Sequence, residues 1–152
     1  MSVDLMTPMF RCTLVKEGNR EYSAGNMVDS PEKGYRLVKD YMETLDREEL
    51  VVALLDTKHR LIGFNVVSVG TIDASLVAPV NVFKPAILAN AATILLAHNH
   101  PSGDASPSPQ DLQITRRLIE AGRILDLEIL DHIVVGDGYH VSIRERVPEY
   151  WS

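Results

Sequence analysis

The segment Ala97–Asp111, "AHNHPSGDASPSPQD", holds two histidines and a carboxylate at a spacing that suits a metal ion. His98 and His100 follow the apolar stretch "TILLA", which is typical of a buried strand. In an extended chain, residues i and i+2 point to the same side, so both imidazoles can converge while Asn99 faces away. Asp111 lies in the first turn of the next predicted helix, and the intervening loop allows it to return to the histidines. Two histidines, one carboxylate and an open fourth position describe a catalytic zinc site.

The same segment also contains a helix start, which gives some of its residues a second interpretation. Ser108, Pro109 and Asp111 form a serine cap, a proline at the first helical position and an acid at the third. A His-x-His pair is by itself a weak indication of a metal site. Capping nevertheless leaves unexplained two histidines at a strand end followed by Pro101, so the joint pattern favours a metal site.

The order His-x-His-Pro, six residues, Ser, two residues, Asp resembles the JAMM signature of MPN/JAB-domain metalloproteases. The stretches "LLDTKHRLIGFNVVSVGT", "HNHPSGDASPS" and "LDHIVVGDGYHVSIRE" are similar to the RadC-like branch of that superfamily, across Glu48–Glu145. The resemblance implies a cytidine-deaminase-like MPN/JAB fold. The tripeptide "HNH" is coincidental, because the residues of the HNH nuclease motif are dispersed along the chain.

The resemblance also implies a role for each matching residue. His98, His100 and Asp111 would bind Zn²⁺, one ion per chain, with water as the fourth ligand. Ser108 would hydrogen-bond that water or the developing oxyanion, in addition to capping its helix. The implied activity is hydrolysis of a peptide or isopeptide bond in a peptide or protein substrate.

A general base is implied at the entry to a central strand. The stretch "DREELVVALLD" offers two adjacent glutamates, and side-chain alternation allows only one of them to face the metal. The resemblance favours Glu48, with Glu49 outward as the alternative base. Glu48 would take a proton from the metal-activated water and deliver it to the leaving amine.

Two further features concern the surroundings of the site. Asp131 and His132 fall in a predicted strand, where they are either a hydrogen-bonded pair supporting the fold or a wall of the cleft. RadC-like sequences commonly carry Pro-Arg-Glu ahead of the second helix, whereas this chain has Val80 and Asn81 after the proline. The missing pair leaves open a second hypothesis, a zinc-binding but catalytically silent scaffold.

The alternation of strands and helices predicts one domain over residues 1–152, of the α/β (α+β) class, with a mixed sheet flanked by helices. Residues 1–47 would contain an N-terminal strand and helix, and residues 48–145 the core with the motif. The predicted strands span residues 9–18, 50–56, 61–70, 74–79, 93–98, 127–136 and 139–143, and the predicted helices 29–46, 84–92 and 108–122.

Two of the predicted helices carry distinct start signals. Ser30 and Pro31 are a cap and a first helical residue for the helix before the core. A second helix that began at Pro79 would contain Pro85, which removes a hydrogen bond and clashes with the preceding turn. We therefore expect this helix to start later or to kink.

Composition limits the partners and the compartment. The formal net charge of −6, from 15 basic and 21 acidic residues, argues against direct nucleic-acid binding. Cys12 is the only cysteine, which excludes an internal disulfide and a thiolate metal site and favours a cytoplasmic location. We expect no membrane association, since the sequence has no secretory signal or spanning apolar stretch. The oligomeric state stays open.

The N-terminal part bears on a third hypothesis. Full-length RadC proteins carry an N-terminal helix-hairpin-helix region, a DNA-binding type of module. The residues before Glu48 do not resemble it, so we expect a stand-alone form of the domain. An accessory role in DNA repair or mobile-element biology rests on the resemblance alone.

Overall fold

The structure, a computed structural model, describes residues 6–19 and 27–152. Its sheet and helices confirm the predicted class, a mixed sheet flanked by helices. The elements in chain order are α1 (Pro31–Met42), β1 (Glu49–Leu55), β2 (Leu61–Val69), α2 (Pro79–Leu88), β3 (Thr93–Asn99), α3 (Pro109–Leu125), β4 (Glu128–Val135), β5 (His140–Ser142), α4 (Ile143–Arg146) and a 3-10 turn (Pro148–Trp151).

The five strands form one mixed sheet in the order β2-β1-β3-β4-β5. β1 is antiparallel to both β2 and β3, β3 is parallel to β4, and β4 is antiparallel to β5. The pairing of Leu50 with His98 brings the start of β1 beside the end of β3. This register places the "DREEL" stretch next to the histidine motif, although the two are far apart in sequence.

Helices cover both faces of the sheet, so β1 and β3 are buried along their whole length. We call the face under α2 and α3 the metal face and the opposite one the α1 face. The metal face packs around Leu50, Val52, Leu54, Ile94 and Leu96. The α1 face packs around Val51, Ala53, Leu55, Leu95 and Ala97.

The start of α1 matches the prediction, because Ser30 accepts a hydrogen bond from Lys33 N and Pro31 is the first helical residue. The end of α3 differs: the helix continues past Gly122 to Leu125 and closes at Asp126, in a left-handed conformation. Gly122 serves a close approach instead, because a Cβ there would lie 2.3 Å from Leu127 O.

The strand predicted over residues 74–79 does not form. Asp73 accepts hydrogen bonds from both the backbone N and the hydroxyl of Ser75, and Leu76 N donates to Asp73 O. These bonds fold the segment into a turn that leads into α2. An aspartate that bonds its own main chain two residues on is a common cause of such turns.

Helix α2 begins at Pro79, five residues before the predicted start, and it contains Pro85. Of the two expected alternatives, a later start or a kink, the later start is therefore wrong. Val82, Phe83 and Ala86 are almost fully buried against the metal face, so tertiary packing outweighs the missing backbone hydrogen bond at the proline.

The strand predicted over residues 9–18 is also absent, since residues 6–19 have no regular secondary structure. Met9, Phe10 and Val15 are at least 82% exposed. A strand is stabilised by pairing and by burying one face, and this segment does neither. Among the described residues, no helix is long and apolar enough to cross a bilayer.

Candidate metal centre

Four side chains with metal-binding atoms meet at one end of the sheet. Glu48, His98, His100 and Asp111 each offer one ligand atom, and these atoms all lie within 4.8 Å of one another. The two Nε2 atoms of the histidines are 3.0 Å apart. Asp111 Oδ1 lies 3.2 Å from His98 Nε2, and Asp111 Oδ2 lies 3.1 Å from His100 Nε2. The structure thus brings together every predicted metal ligand and the favoured base.

Strand alternation separates the two glutamates. Glu48 directly precedes β1, and its Oε1 lies 3.7 Å from His100 Nε2. Glu49 lies on the α1 face, where Tyr41 OH donates to its Oε1 at 2.6 Å. Only Glu48 belongs to the four-residue cluster, and Glu49 connects β1 to α1 instead.

Asn99 holds the backbone on both sides of Glu48. Its Nδ2 donates to Arg47 O at 2.9 Å, and its Oδ1 accepts from Glu49 N at 2.8 Å. The side chain is 3% exposed, so these bonds are shielded from water. The residue between the two histidines therefore fixes the backbone that carries the predicted base. Alternation predicted that Asn99 faces away, but gave it no role.

His100 is fixed by the loop that follows β3. Its Nδ1 lies 2.7 Å from Asp104 O, and its backbone N donates to Val135 O at 2.8 Å. The loop approaches β4 so closely that a Cβ at Gly136 would lie 2.5 Å from Gly103 O. A larger residue at position 136 would push the loop, and His100 with it, away from the cluster.

Asp111 is held at the start of α3 by a capping box. Its backbone N donates to Ser108 Oγ at 3.0 Å, and Ser108 N donates to Asp111 Oδ2 at 2.8 Å. The carboxylate is 2% exposed. Ser108 thus contacts the predicted ligand Asp111 directly, while its predicted bond to water or an oxyanion stays a prediction.

His132 lies behind His98, with its Nε2 2.7 Å from His98 Nδ1. Its Nδ1 lies 2.6 Å from Thr115 Oγ1, and the Thr115 hydroxyl donates to Asp111 O at 2.7 Å. A shift in register between β3 and β4 at Leu130 turns Ile129 and His132 to the same face. A bulge of this kind re-aims a side chain against strict alternation.

Asp131 faces away from the cluster. It accepts hydrogen bonds from Ser142 Oγ and from the backbone N of His132 and Arg144. Burial raises the pKa of its carboxyl, although these bonds counteract the rise. Of the two predicted alternatives for the pair, Asp131 supports the fold, and His132 contacts a predicted ligand from behind rather than lining an open cleft.

The carboxyl of Asp111 is held in its ionised form inside the cluster. Burial would raise the pKa of Asp111, but hydrogen bonds with His100 and His98 hold it well below its usual range. The hydrogen bond with Asp111 raises the pKa of His100, with burial acting against it. Burial lowers the pKa of His132 well below its usual range, which leaves this ring neutral at pH 7.

The Nε2 atoms of His98 and His100 face each other at 3.0 Å, and the hydrogen-bond partners of the two rings indicate which nitrogens carry hydrogens. Asp104 O can only accept, so His100 Nδ1 carries a hydrogen, and a neutral His100 then presents a lone pair at Nε2. With a hydrogen on His98 Nδ1 as well, both Nε2 lone pairs converge on the Asp111 carboxylate. These lone pairs and the carboxylate repel one another unless a cation lies among them, and that cation can be a proton on His100 Nε2 or, in its place, a metal ion. Two imidazole nitrogens with carboxylate oxygens fit zinc by ligand type.

A comparison with protein families identifies the family of the chain. A family model described as RadC-like JAB domain matches residues 28–148. The chain belongs to the RadC-like JAB family. This RadC-like JAB domain is 49% identical over 119 residues to a UPF0758 protein of Roseiflexus castenholzii, covering 78% of the chain and 51% of the relative.

Two further relatives give the same picture. A UPF0758 protein of Chloroflexus aggregans is 47% identical over 119 residues, covering 78% of the chain and 52% of the relative. A UPF0758 protein of Methanosarcina mazei is 41% identical over 134 residues, covering 88% and 56%. The RadC-like JAB domain thus spans about half the length of the curated relatives it matches. The shared name UPF0758 states no activity.

Sequence reasoning missed three residues that position the cluster, namely Asn99, Asp104 and Thr115. Only Asn99 had a usable signal, as a buried amide next to two histidines. The departures from the family pattern, Val80 and Asn81, lie in the first turn of α2, where Val80 is 66% exposed.

Proposed function

We propose that the protein is a zinc-dependent hydrolase of the JAMM type that cleaves peptide or isopeptide bonds. The observation that carries the proposal is the convergence of Glu48, His98, His100 and Asp111 within 4.8 Å. Two imidazoles and one carboxylate match a catalytic zinc centre that keeps one position open. The carboxylate of Glu48 supplies the base that such a centre needs beside its ligands.

The exposure of the four side chains indicates where a substrate would enter. His98 and Asp111 are at most 2% exposed, whereas His100 and Glu48 are 15% and 20% exposed. Water and a scissile carbonyl would therefore approach on the side of Glu48 and His100. The base then lies at the entrance, where both the attacking water and the leaving amine are within its reach.

The roles of the chain's residues follow from this geometry. When bound, zinc would lower the pKa of the attacking water to about 7 and polarise the scissile carbonyl. Glu48 takes one proton from the attacking water as the C–O bond forms, and it returns that proton to the nitrogen as the C–N bond breaks. The products are a carboxylic acid and an amine. His98, His100 and Asp111 hold the metal, and Ser108 holds Asp111.

Adjacent glutamates provide the test with its own control. We expect Glu48→Gln to lower hydrolysis of a mixed peptide library by about 10²- to 10⁴-fold, the usual contribution of a general base. Zinc content, measured by elemental analysis, stays at the wild-type value. Glu49→Gln changes the same functional group one residue later and keeps hydrolysis. If Glu48→Gln hydrolyses peptides as fast as the wild type, the assignment of the base is wrong.

A second candidate, a zinc-binding scaffold without activity, is favoured by Val80 and Asn81. These exposed residues stand where RadC-like sequences commonly have an arginine and a carboxylate, so the start of α2 lacks that charged pair. The two candidates share the zinc site and differ in turnover. A wild type that binds zinc but cleaves no peptide in the library supports the scaffold.

A further inference from the structure

Three fully buried side chains form a chain of hydrogen bonds behind the cluster. His98 on β3, His132 on β4 and Thr115 on α3 are all 0% exposed. The first bond joins His98 Nδ1 to His132 Nε2 at 2.7 Å, and the second joins His132 Nδ1 to Thr115 Oγ1 at 2.6 Å. The chain of hydrogen bonds ends where Thr115 Oγ1 donates to Asp111 O at 2.7 Å.

The direction of each hydrogen bond follows from the last acceptor, Asp111 O. Asp111 O is a carbonyl oxygen that can only accept, so the single hydroxyl hydrogen of Thr115 is used there. Thr115 Oγ1 must then accept from His132 Nδ1. A neutral His132 with its hydrogen on Nδ1 presents a lone pair at Nε2, which accepts from Nδ1 of His98. This leaves the Nε2 of His98 without a hydrogen, on the side of the cluster.

We propose that His132 and Thr115 are positioning residues that hold His98 in the tautomer and orientation in which its Nε2 can bind a metal. The inference rests on the proposed function, because it concerns a ligand of the same site. A threonine hydroxyl that bonds the carbonyl four residues back is common in helices. The second bond of Thr115, to a buried imidazole on another element, has no such local explanation.

This chain of hydrogen bonds also connects two predicted ligands, His98 and Asp111. Thr115 is bonded to the main chain of Asp111, so the residue that fixes the proton of His132 also contacts the first turn of α3. A displaced α3 would therefore change the support of His98 together with the position of the Asp111 carboxylate. Partners of this kind typically change metal affinity by about 10- to 100-fold when they are removed.

Thr115→Val tests the proposal with little change in shape. The valine leaves His132 Nδ1–H without an acceptor, so the proton can move to Nε2 and point at His98 Nδ1. His98 then carries its hydrogen on Nε2, where it blocks a metal. We expect zinc affinity, measured by competition with a chromophoric chelator, to fall by about 10- to 100-fold. Thr115→Ser keeps the hydroxyl and is expected to retain the wild-type affinity.

A matched control separates this role from general loss of a buried hydroxyl. Ser142→Ala removes a hydroxyl that is buried and bonded to Asp131, and that makes no side-chain hydrogen bond to Thr115 or to the rings of His132 and His98. We expect it to lower the unfolding temperature without changing zinc affinity. If Thr115→Val binds zinc as tightly as the wild type, or if Thr115→Ser binds it as weakly as Thr115→Val, the proposal is overturned.

NMR of the imidazole nitrogens in the metal-free wild type tests the proposed hydrogen-bond directions without any substitution. We expect the hydrogen on Nδ1 of both His98 and His132, and a hydrogen on His98 Nε2 overturns the inference. This readout is independent of zinc. A wild type that binds no zinc but shows these tautomers refutes the proposed function and leaves the hydrogen-bond chain standing.

Discussion

The two faces of the sheet use neighbouring polar residues in different ways. Around the end of the sheet that carries the motif, three pairs of neighbouring polar residues each place one member on the metal face and the other on the α1 face. One pair lies at the start of β1, one in β3 and one in β4. The pairs are Glu48 and Glu49, His98 and Asn99, and His132 and Asp131. The residues on the metal face converge on the cluster or support it. Those on the α1 face bond the main chain or α1.

This difference shows how a sheet can carry a polar site without losing its core. Side-chain alternation delivers the reactive groups to one face and the groups that fix their backbone to the other. Asn99 is the clearest example, because its two bonds bracket the residue that serves as the predicted base. Substitutions on the two faces should therefore have separable effects on metal binding, turnover and stability.

The largest expected effect is on the metal face. His98→Ala or Asp111→Ala removes a ligand, and we expect less than one tenth of the wild-type zinc to remain after gel filtration, in keeping with the large contribution of each ligand. Asn99→Ala, the neighbour on the α1 face, is expected to keep zinc. Elemental analysis checks all three variants, and full zinc occupancy in His98→Ala would contradict the assignment of the ligands.

The next effect is the dependence of zinc affinity on pH. The bond with Asp111 raises the pKa of His100, so a proton competes with the metal for His100 Nε2. As pH falls through this raised pKa, His100 becomes protonated and affinity should drop by about tenfold per pH unit for each proton displaced. Chelator competition between about pH 5 and 8 measures it. Glu49→Gln should follow the wild-type profile. Affinity that is constant across the range contradicts the account.

A smaller effect is expected from Asn99, which bonds the backbone on both sides of the predicted base Glu48. Asn99→Ala frees the backbone at Arg47 and Glu49, and we expect peptide hydrolysis to slow by about tenfold, within the range that misplacement of a catalytic group can cause. Zinc affinity should stay unchanged, because Asn99 touches none of the ligands through its side chain. Steady-state kinetics and chelator competition on the same preparation separate the two. A variant with slow hydrolysis and weak zinc binding argues that the whole site has moved.

The smallest effect compares the two serine caps. Ser108→Ala and Ser30→Ala each remove an N-cap bond, which costs about 1 kcal/mol of stability and should appear as similar shifts in chemical denaturation. The cap bond of Ser108 comes from the backbone N of Asp111, a predicted ligand, whereas that of Ser30 comes from the backbone N of Lys33. Only Ser108→Ala should weaken zinc binding. Equal zinc affinities in the two variants would show that the cap does not position the ligand.

The convergence of the four side chains was largely predictable because most of it depends on local rules. Alternation placed His98 on one side and Asn99 on the other, and the cap and proline at positions 108 and 109 fixed the start of α3. The same rule left one of two adjacent glutamates for the cluster, and the resemblance favoured Glu48. Apart from the choice of Glu48, these features need only the period of a strand and the chemistry of a helix start.

The support of the cluster was not predictable, because it depends on pairing between distant segments. The bulge at Leu130 turns His132 toward His98, and strict alternation along β4 gives no sign of it. Thr115 looks like an ordinary helix residue until β4 is placed beside α3. Two predicted strands, at 9–18 and 74–79, do not form although their composition is strand-like. The first has no buried face, and hydrogen bonds to the side chain of Asp73 fold the second into a turn.

X-ray absorption spectroscopy of the zinc-loaded wild type tests the central claim most directly, because it reports both occupancy and ligand type. We predict one zinc per chain, with two imidazole ligands and oxygen ligands at about 2.0–2.2 Å. Sulfur should be absent from the zinc ligands, since Cys12 is the only cysteine in the chain. Protein that takes up no zinc, or a spectrum with fewer than two imidazoles, would contradict the assignment of this cluster as a zinc centre.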